Sequence, residues 1–121
     1  MRLSTVLLYV KDLAGMTAFY GETLGLPMIA ETRTETWVEF DMGGARLGLH
    51  QIPAHIAVDT TAPREETPYK LCCEVDDVAA LGIPFIQRPW GGVDGVDPEG
   101  NIIGLVETNR VDGGERVEMG E

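Results

Sequence analysis

The sequence predicts an α+β fold of two tandem βαβββ modules, and three observations carry that prediction. Near its end, Asp97-Pro98-Glu99-Gly100-Asn101 reads as a turn between two strand-like runs, Val93–Val96 and Ile102–Glu107. Pro fixes φ after Asp, and Gly and Asn tolerate positive φ. The segment Val10-Lys11-Asp12-Leu13-Ala14 returns as Val75-Asp76-Asp77-Val78-Ala79. In the same order, Leu47-Gly48-Leu49 returns as Ile103-Gly104-Leu105. Self-similarity between two units of roughly fifty residues each, inside one order of elements, marks a duplication.

The first module opens with Leu3–Val10, rich in β-branched and apolar residues and therefore a strand. Asp12 is placed to cap a helix. From Leu13 the apolar residues Met16, Phe19, Tyr20 and Leu24 recur at helical spacing, and Gly25 followed by Pro27 ends the run. Met28–Arg33, Glu35–Asp41 and Ala45–Gln51 read as three strands, the last two joined by a turn at Gly43-Gly44. Residues 52–68, with Pro53, Pro63 and Pro68, break the pattern and read as a surface connector. The second module repeats the order: strand Tyr69–Val75, a cap at Asp76-Asp77, a helix begun by Val78–Leu81, strand Ile83–Arg88, then the hairpin. The domain is thus expected to cover 1–108, with modules 3–51 and 69–107 and a polar tail at 109–121.

The 121 residues carry a net charge of −11, so nucleic acid and anionic membranes are poor partners, and a cationic ligand would be attracted. No apolar run reaches the ~18–20 residues that span a bilayer. The N-terminus shows no signal-peptide pattern, and the expected location is cytoplasmic. Cys72 and Cys73 are adjacent and make no disulfide framework, so both are expected as reduced thiols.

Val6–Leu13 running into Phe19-Tyr20 and Leu24-Gly25-Leu26, and Asp97–Asn101 running into Leu105-Val106-Glu107, resemble the vicinal oxygen chelate superfamily. This is the glyoxalase / bleomycin resistance protein / extradiol dioxygenase group. The resemblance implies sheets that curl into a mixed sheet around a cleft, with helices outside. Against that pattern the second helix is short: only Val78–Leu81 precedes Gly82 and Pro84. Such trimming predicts exposed apolar surface around Ile83, Phe85 and Ile86, which a second copy of the chain would cover, and a homodimer is expected.

Metal-dependent members of that group hold an ion with four strand residues, and the resemblance puts those places at Thr5, Gly48, Lys70 and Gly104. Gly offers no donor, Lys is a cation and a lone Thr hydroxyl is weak. No metal and no cofactor are therefore expected. A site built on His50 with Glu74 or Glu107 is the less favoured route to a metal. Strand parity gives the ligand-binding candidates Tyr9, Trp37, Glu39, Arg46, His50, Lys70 and Glu74, with Trp90 at the mouth. No catalytic residue stands out: Ser4 has no evident His partner. The expected function is metal-free binding and sequestration of a small planar aromatic or antibiotic ligand. The alternative is a metal-dependent or acid–base lyase, isomerase or dioxygenase of the same superfamily.

Overall fold

The computed structural model describes residues 1–53, 55–56 and 69–108. Most of the expected connector and the tail at 109–121 lie outside these residues. The described residues fall into two compact units. The first draws on Met1–Pro63 together with Asp97–Asn101, and the second on Arg64–Val96 and the chain from Ile102 onward.

In the first unit, β1 (Thr5–Val10), β2 (Trp37–Asp41) and β3 (Arg46–Gln51) form a sheet in the order β1-β3-β2. β1 runs parallel to β3, with Leu7 opposite Gly48 and Tyr9 opposite His50. β2 runs antiparallel to β3, with Trp37 opposite His50 and Glu39 opposite Gly48. Alternation sends Val38, Phe40, Leu47 and Leu49 to the buried face, where they join Val10, Met16, Phe19 and Tyr20 in the core. Trp37, Glu39, Arg46, Gly48 and His50 share the opposite parity.

Helix α1 (Leu13–Ala18) begins where the sequence places it, with the Asp12 side chain accepting from Gly15 N at 3.0 Å. It is shorter than the periodicity predicts. From Phe19 to Thr23 the chain widens into a π turn, closed by Leu24 N donating to Phe19 O at 2.9 Å. That turn buries Phe19 and Tyr20 side by side, with ring centroids 5.1 Å apart. Gly25 then takes φ 76°, as a helix-ending glycine does.

The strand expected at Met28–Arg33 does not form. Over residues 27–33 the backbone pairs with β2 through Asp41 N donating to Pro27 O, Ile29 N donating to Glu39 O, and one bridge between Met28 and Phe40. Pro27 supplies no N–H, and the chain turns away at once through a single 3₁₀ turn, Ala30–Thr32.

In the second unit, β4 (Leu71–Val75), β5 (Phe85–Gln87), β6 (Val93–Val96) and β7 (Ile102–Glu107) form a sheet in the order β4-β7-β6-β5. β4 is parallel to β7 and the other pairs are antiparallel. The parallel pair and the order around it repeat those of the first unit, which makes the fold α+β with two mixed sheets from tandem modules. The second helix shrinks to one 3₁₀ turn, Ala79–Leu81, stopped by Gly82 at φ 66°. Contrary to expectation, Ile83 is buried here and Ile86 half-buried; of the three, Phe85 alone is exposed.

Matching caps mark the repeat. In the first unit Leu13 N donates to Gln51 Oε1 at 3.3 Å, and in the second Val78 N donates to Glu107 Oε2 at 3.0 Å. Gln51 and Glu107 are the last residues of β3 and β7, opposite Val10 and Val75. The final strand of each module therefore caps the turn that leaves its first strand.

The Asp97–Asn101 turn adds a further clasp to the first unit. Glu99 accepts from Lys11 N at 2.9 Å and from Asp12 N at 2.7 Å. Asp97 Oδ1 accepts from Glu99 N and Asn101 N, while its Oδ2 accepts from Asn101 Nδ2 and Tyr20 Oη.

Candidate functional site

The candidate site is the sheet face of the first unit that carries Trp37, Glu39, Arg46 and His50. Its centre is Gly48, where a side chain would stand if the residue had one. The Trp37 indole takes that space: a Cβ on Gly48 would collide with Cη2 and lie 2.8 Å from Cζ2. Trp37 Nε1 donates to Glu39 Oε2 at 2.8 Å. Arg46 Nη1 donates to the other oxygen, Glu39 Oε1, at 3.0 Å. Glu39 is buried, yet it stays ionised. The Trp37 N–H and the Arg46 guanidinium hold its carboxyl below the usual range, against burial that pushes it up.

Beside this trio the aromatic surface continues. The His50 ring lies 5.9 Å from that of Trp37, nearly edge-on, and 5.6 Å from that of Tyr9. Tyr9 is 55% exposed and Leu7 on the same strand 42%. A hollow of about 670 Å³ opens at the Arg46 end, with Thr5, Asp41 and Gly44 in its wall. Five sequence candidates, Tyr9, Trp37, Glu39, Arg46 and His50, thus share one face.

The remaining candidates belong to the second unit. Lys70 Nζ donates to Asp94 Oδ1 at 3.0 Å and Oδ2 at 3.3 Å. Arg88 Nε donates to Asp94 Oδ2 at 2.8 Å. Lys70 is thus ion-paired with Asp94. Glu74 is exposed on β4, and Trp90 is 73% exposed, with its indole against Gly92. A Cβ on Gly104 would lie 2.9 Å from Cys72 Sγ and 3.2 Å from Lys70 Cδ, so these two side chains cover that glycine.

Asp94 escaped the sequence reading. The signal that could have found it is the repeat. Glu39 stands opposite Gly48 and Asp94 stands opposite Gly104, each a buried carboxylate in ion-pair contact with a cation. A carboxylate facing a glycine is thus a property of both modules.

The glyoxalase / bleomycin resistance protein / dioxygenase superfamily model matches residues 2–104. The chain belongs to this superfamily. No curated protein matches the sequence. Among solved structures, lactoylglutathione lyase from Agrobacterium tumefaciens is 26% identical, with 87% of this chain and 92% of that chain covered and a TM-score of 0.57. A glyoxalase/dioxygenase from Nostoc punctiforme shares the fold at 20% identity and TM-score 0.63, covering 86% and 88% of the two chains. A superfamily enzyme from Burkholderia phytofirmans does so at 20% identity and TM-score 0.63, covering 87% and 97%. No described helix is long and apolar enough to cross a membrane.

The metal that some superfamily members hold does not suit the residues here. A donor at position 48 would have to displace the Trp37 ring, and one at 104 would meet Cys72 and Lys70. Lys70 itself is an ammonium bonded to Asp94. Among the described residues no three His, Cys, Asp or Glu side chains gather into a candidate metal site.

Proposed function

We propose that this superfamily member binds a flat aromatic small molecule without a metal ion and acts by holding it, as a sequestering or sensing protein does. One observation carries the reading: the Trp37 indole, fixed across Gly48 by Glu39, fills the place where the superfamily resemblance puts a metal-ligating side chain. Trp37 offers the ligand a stacking partner worth ~0.5–1.5 kcal/mol beyond area burial, and Tyr9 and His50 extend the aromatic surface. The bonds of Glu39 bear on ligand charge. Both its oxygens are engaged, so it is a weaker lure for a cation than a free carboxylate.

The test is a fluorescence screen of flat antibiotics and aromatic metabolites, repeated with Trp37→Ala. A ligand of this face quenches the parent protein and loses at least about tenfold in affinity in the variant, equivalent to ~1.4 kcal/mol. Binding unchanged by Trp37→Ala, or a response from Trp90 alone, overturns the assignment. Turnover of a screened compound moves the protein to the enzyme class.

A further inference from the structure

An indole on a sheet face has two side-chain torsions to settle, and an exposed one samples several rotamers. Trp37 is constrained at both ends. Its ring is seated over the gap at Gly48, and its N–H is held by a carboxylate two residues along the same strand. That carboxylate cannot turn away, because Arg46 holds its second oxygen at 3.0 Å and the residue is only 7% exposed. So little of Glu39 reaches solvent that the ligand face is made by Trp37, while Glu39 works from behind it.

We propose that Glu39 is the positioning residue of this binding face: it locks the Trp37 indole over Gly48 and so sets how tightly a flat ligand is held, without touching the ligand. The inference rests on the binding reading above and deepens it. A platform fixed before the ligand arrives spares the ordering cost that a mobile ring would incur on binding. Gly48 belongs to the same device, since any side chain there evicts the ring.

The experiment uses Trp90→Phe protein, in which Trp37 is the single tryptophan of the two in the sequence. Two readouts need no ligand: the near-ultraviolet circular dichroism of the indole and its quenching by acrylamide with excitation at 295 nm. A third is affinity for proflavine, a flat tricyclic dye followed by its own visible absorbance. Glu39→Ala is expected to flatten the indole dichroism, raise the quenching constant at least threefold and weaken proflavine at least fivefold. Glu39→Gln keeps an acceptor for the indole N–H and is expected to stay within twofold of the parent in all three. Gly48→Ala leaves Glu39 in place, expels the ring and is expected to reproduce the Glu39→Ala spectra, which guards against a fold lost through the charge change.

Indole dichroism and quenching that stay at parent values in Glu39→Ala, whether or not Gly48→Ala moves them, overturn the lock. A lock that breaks while proflavine affinity holds overturns the role of Glu39 in binding. If proflavine fails to bind the parent while the ligand-free readouts respond, the binding reading falls and Glu39 keeps only a structural role.

Discussion

The Tyr20 hydroxyl donates a 2.7 Å hydrogen bond to the buried carboxylate of Asp97, 77 residues further along the chain. The two sequence stretches on which the family resemblance rests therefore meet here, as they do where Lys11 and Asp12 donate to Glu99. Asp97 also orders its own turn by accepting from two backbone N–H groups and the Asn101 amide. Tyr20→Phe is expected to lose about 1–3 kcal/mol of stability, the range for a buried bond to a charged acceptor. Asp97→Ala is expected to lose more, because three further donors are released. Denaturant midpoints of the purified variants check both, and a Tyr20→Phe midpoint equal to that of the wild type would remove the bond from the account.

The ion trio on the sheet face gives a pH dependence with a definite sign. Glu39 has its carboxyl depressed in the folded state by Trp37 and Arg46, relative to an ordinary value of 4.5. A depressed carboxyl stabilises the fold above the unfolded pKa, and that contribution fades as pH falls through the folded one. The gap in urea midpoint between wild type and Glu39→Gln should thus be constant near neutrality and narrow below about pH 4.5. A gap that widens on acidification contradicts the assignment.

The adjacent cysteines should differ in reactivity. Cys72 is exposed, whereas burial pushes the Cys73 thiol up and Cys72 adds to the shift. Thiolates are the reactive form, so an aromatic disulfide reagent should label the two in separate phases, at least about tenfold apart in rate. Cys72→Ser should delete the fast phase. A single phase counting two thiols would show that strand alternation does not separate them.

Metal content is the plainest check on the binding reading. Protein purified without chelator should carry less than about one tenth of an equivalent of zinc, nickel, manganese or iron. A stoichiometric ion lost on substituting His50 would reinstate metal chemistry.

We propose, from the superfamily resemblance, that the chain pairs with a second copy. Phe85 is a large apolar side chain left exposed in the second unit, and such surface favours burial against a partner. Light scattering at tens of micromolar should give the mass of two chains. A concentration-independent mass of one chain would count against pairing.

Much of the fold was legible because it rests on local rules and on repetition. The turn at Asp97–Asn101, the Asp12 cap and strands β1, β3, β4, β6 and β7 follow from alternation, capping chemistry and the doubled motif. What failed depends on tertiary partners. Met28–Arg33 has strand-like composition, but pairing with β2 stops at Ile29, and no local signal marks that stop. The π turn at Phe19–Thr23 is likewise invisible in a helical period, since it serves the burial of Tyr20 near Asp97. At the site, parity placed Trp37 and Glu39 on one face correctly. Parity cannot say which cation a carboxylate will choose, and so the sequence marks Arg46 and Glu39 as candidates without their ion pair, and misses Asp94 beside Lys70.

The turn at Asp97–Asn101 has a consequence for how this chain is made. Lys11 and Asp12 are synthesised well before Glu99, and their amide hydrogens reach its carboxylate only once that residue has been made. The early half thus keeps these N–H groups on water until the late half supplies five residues to it. A duplication that began as two copies of one module has become a chain whose first copy cannot be finished alone. Cutting the gene between the repeats would yield a first fragment with its own sheet but without the clasp that closes it.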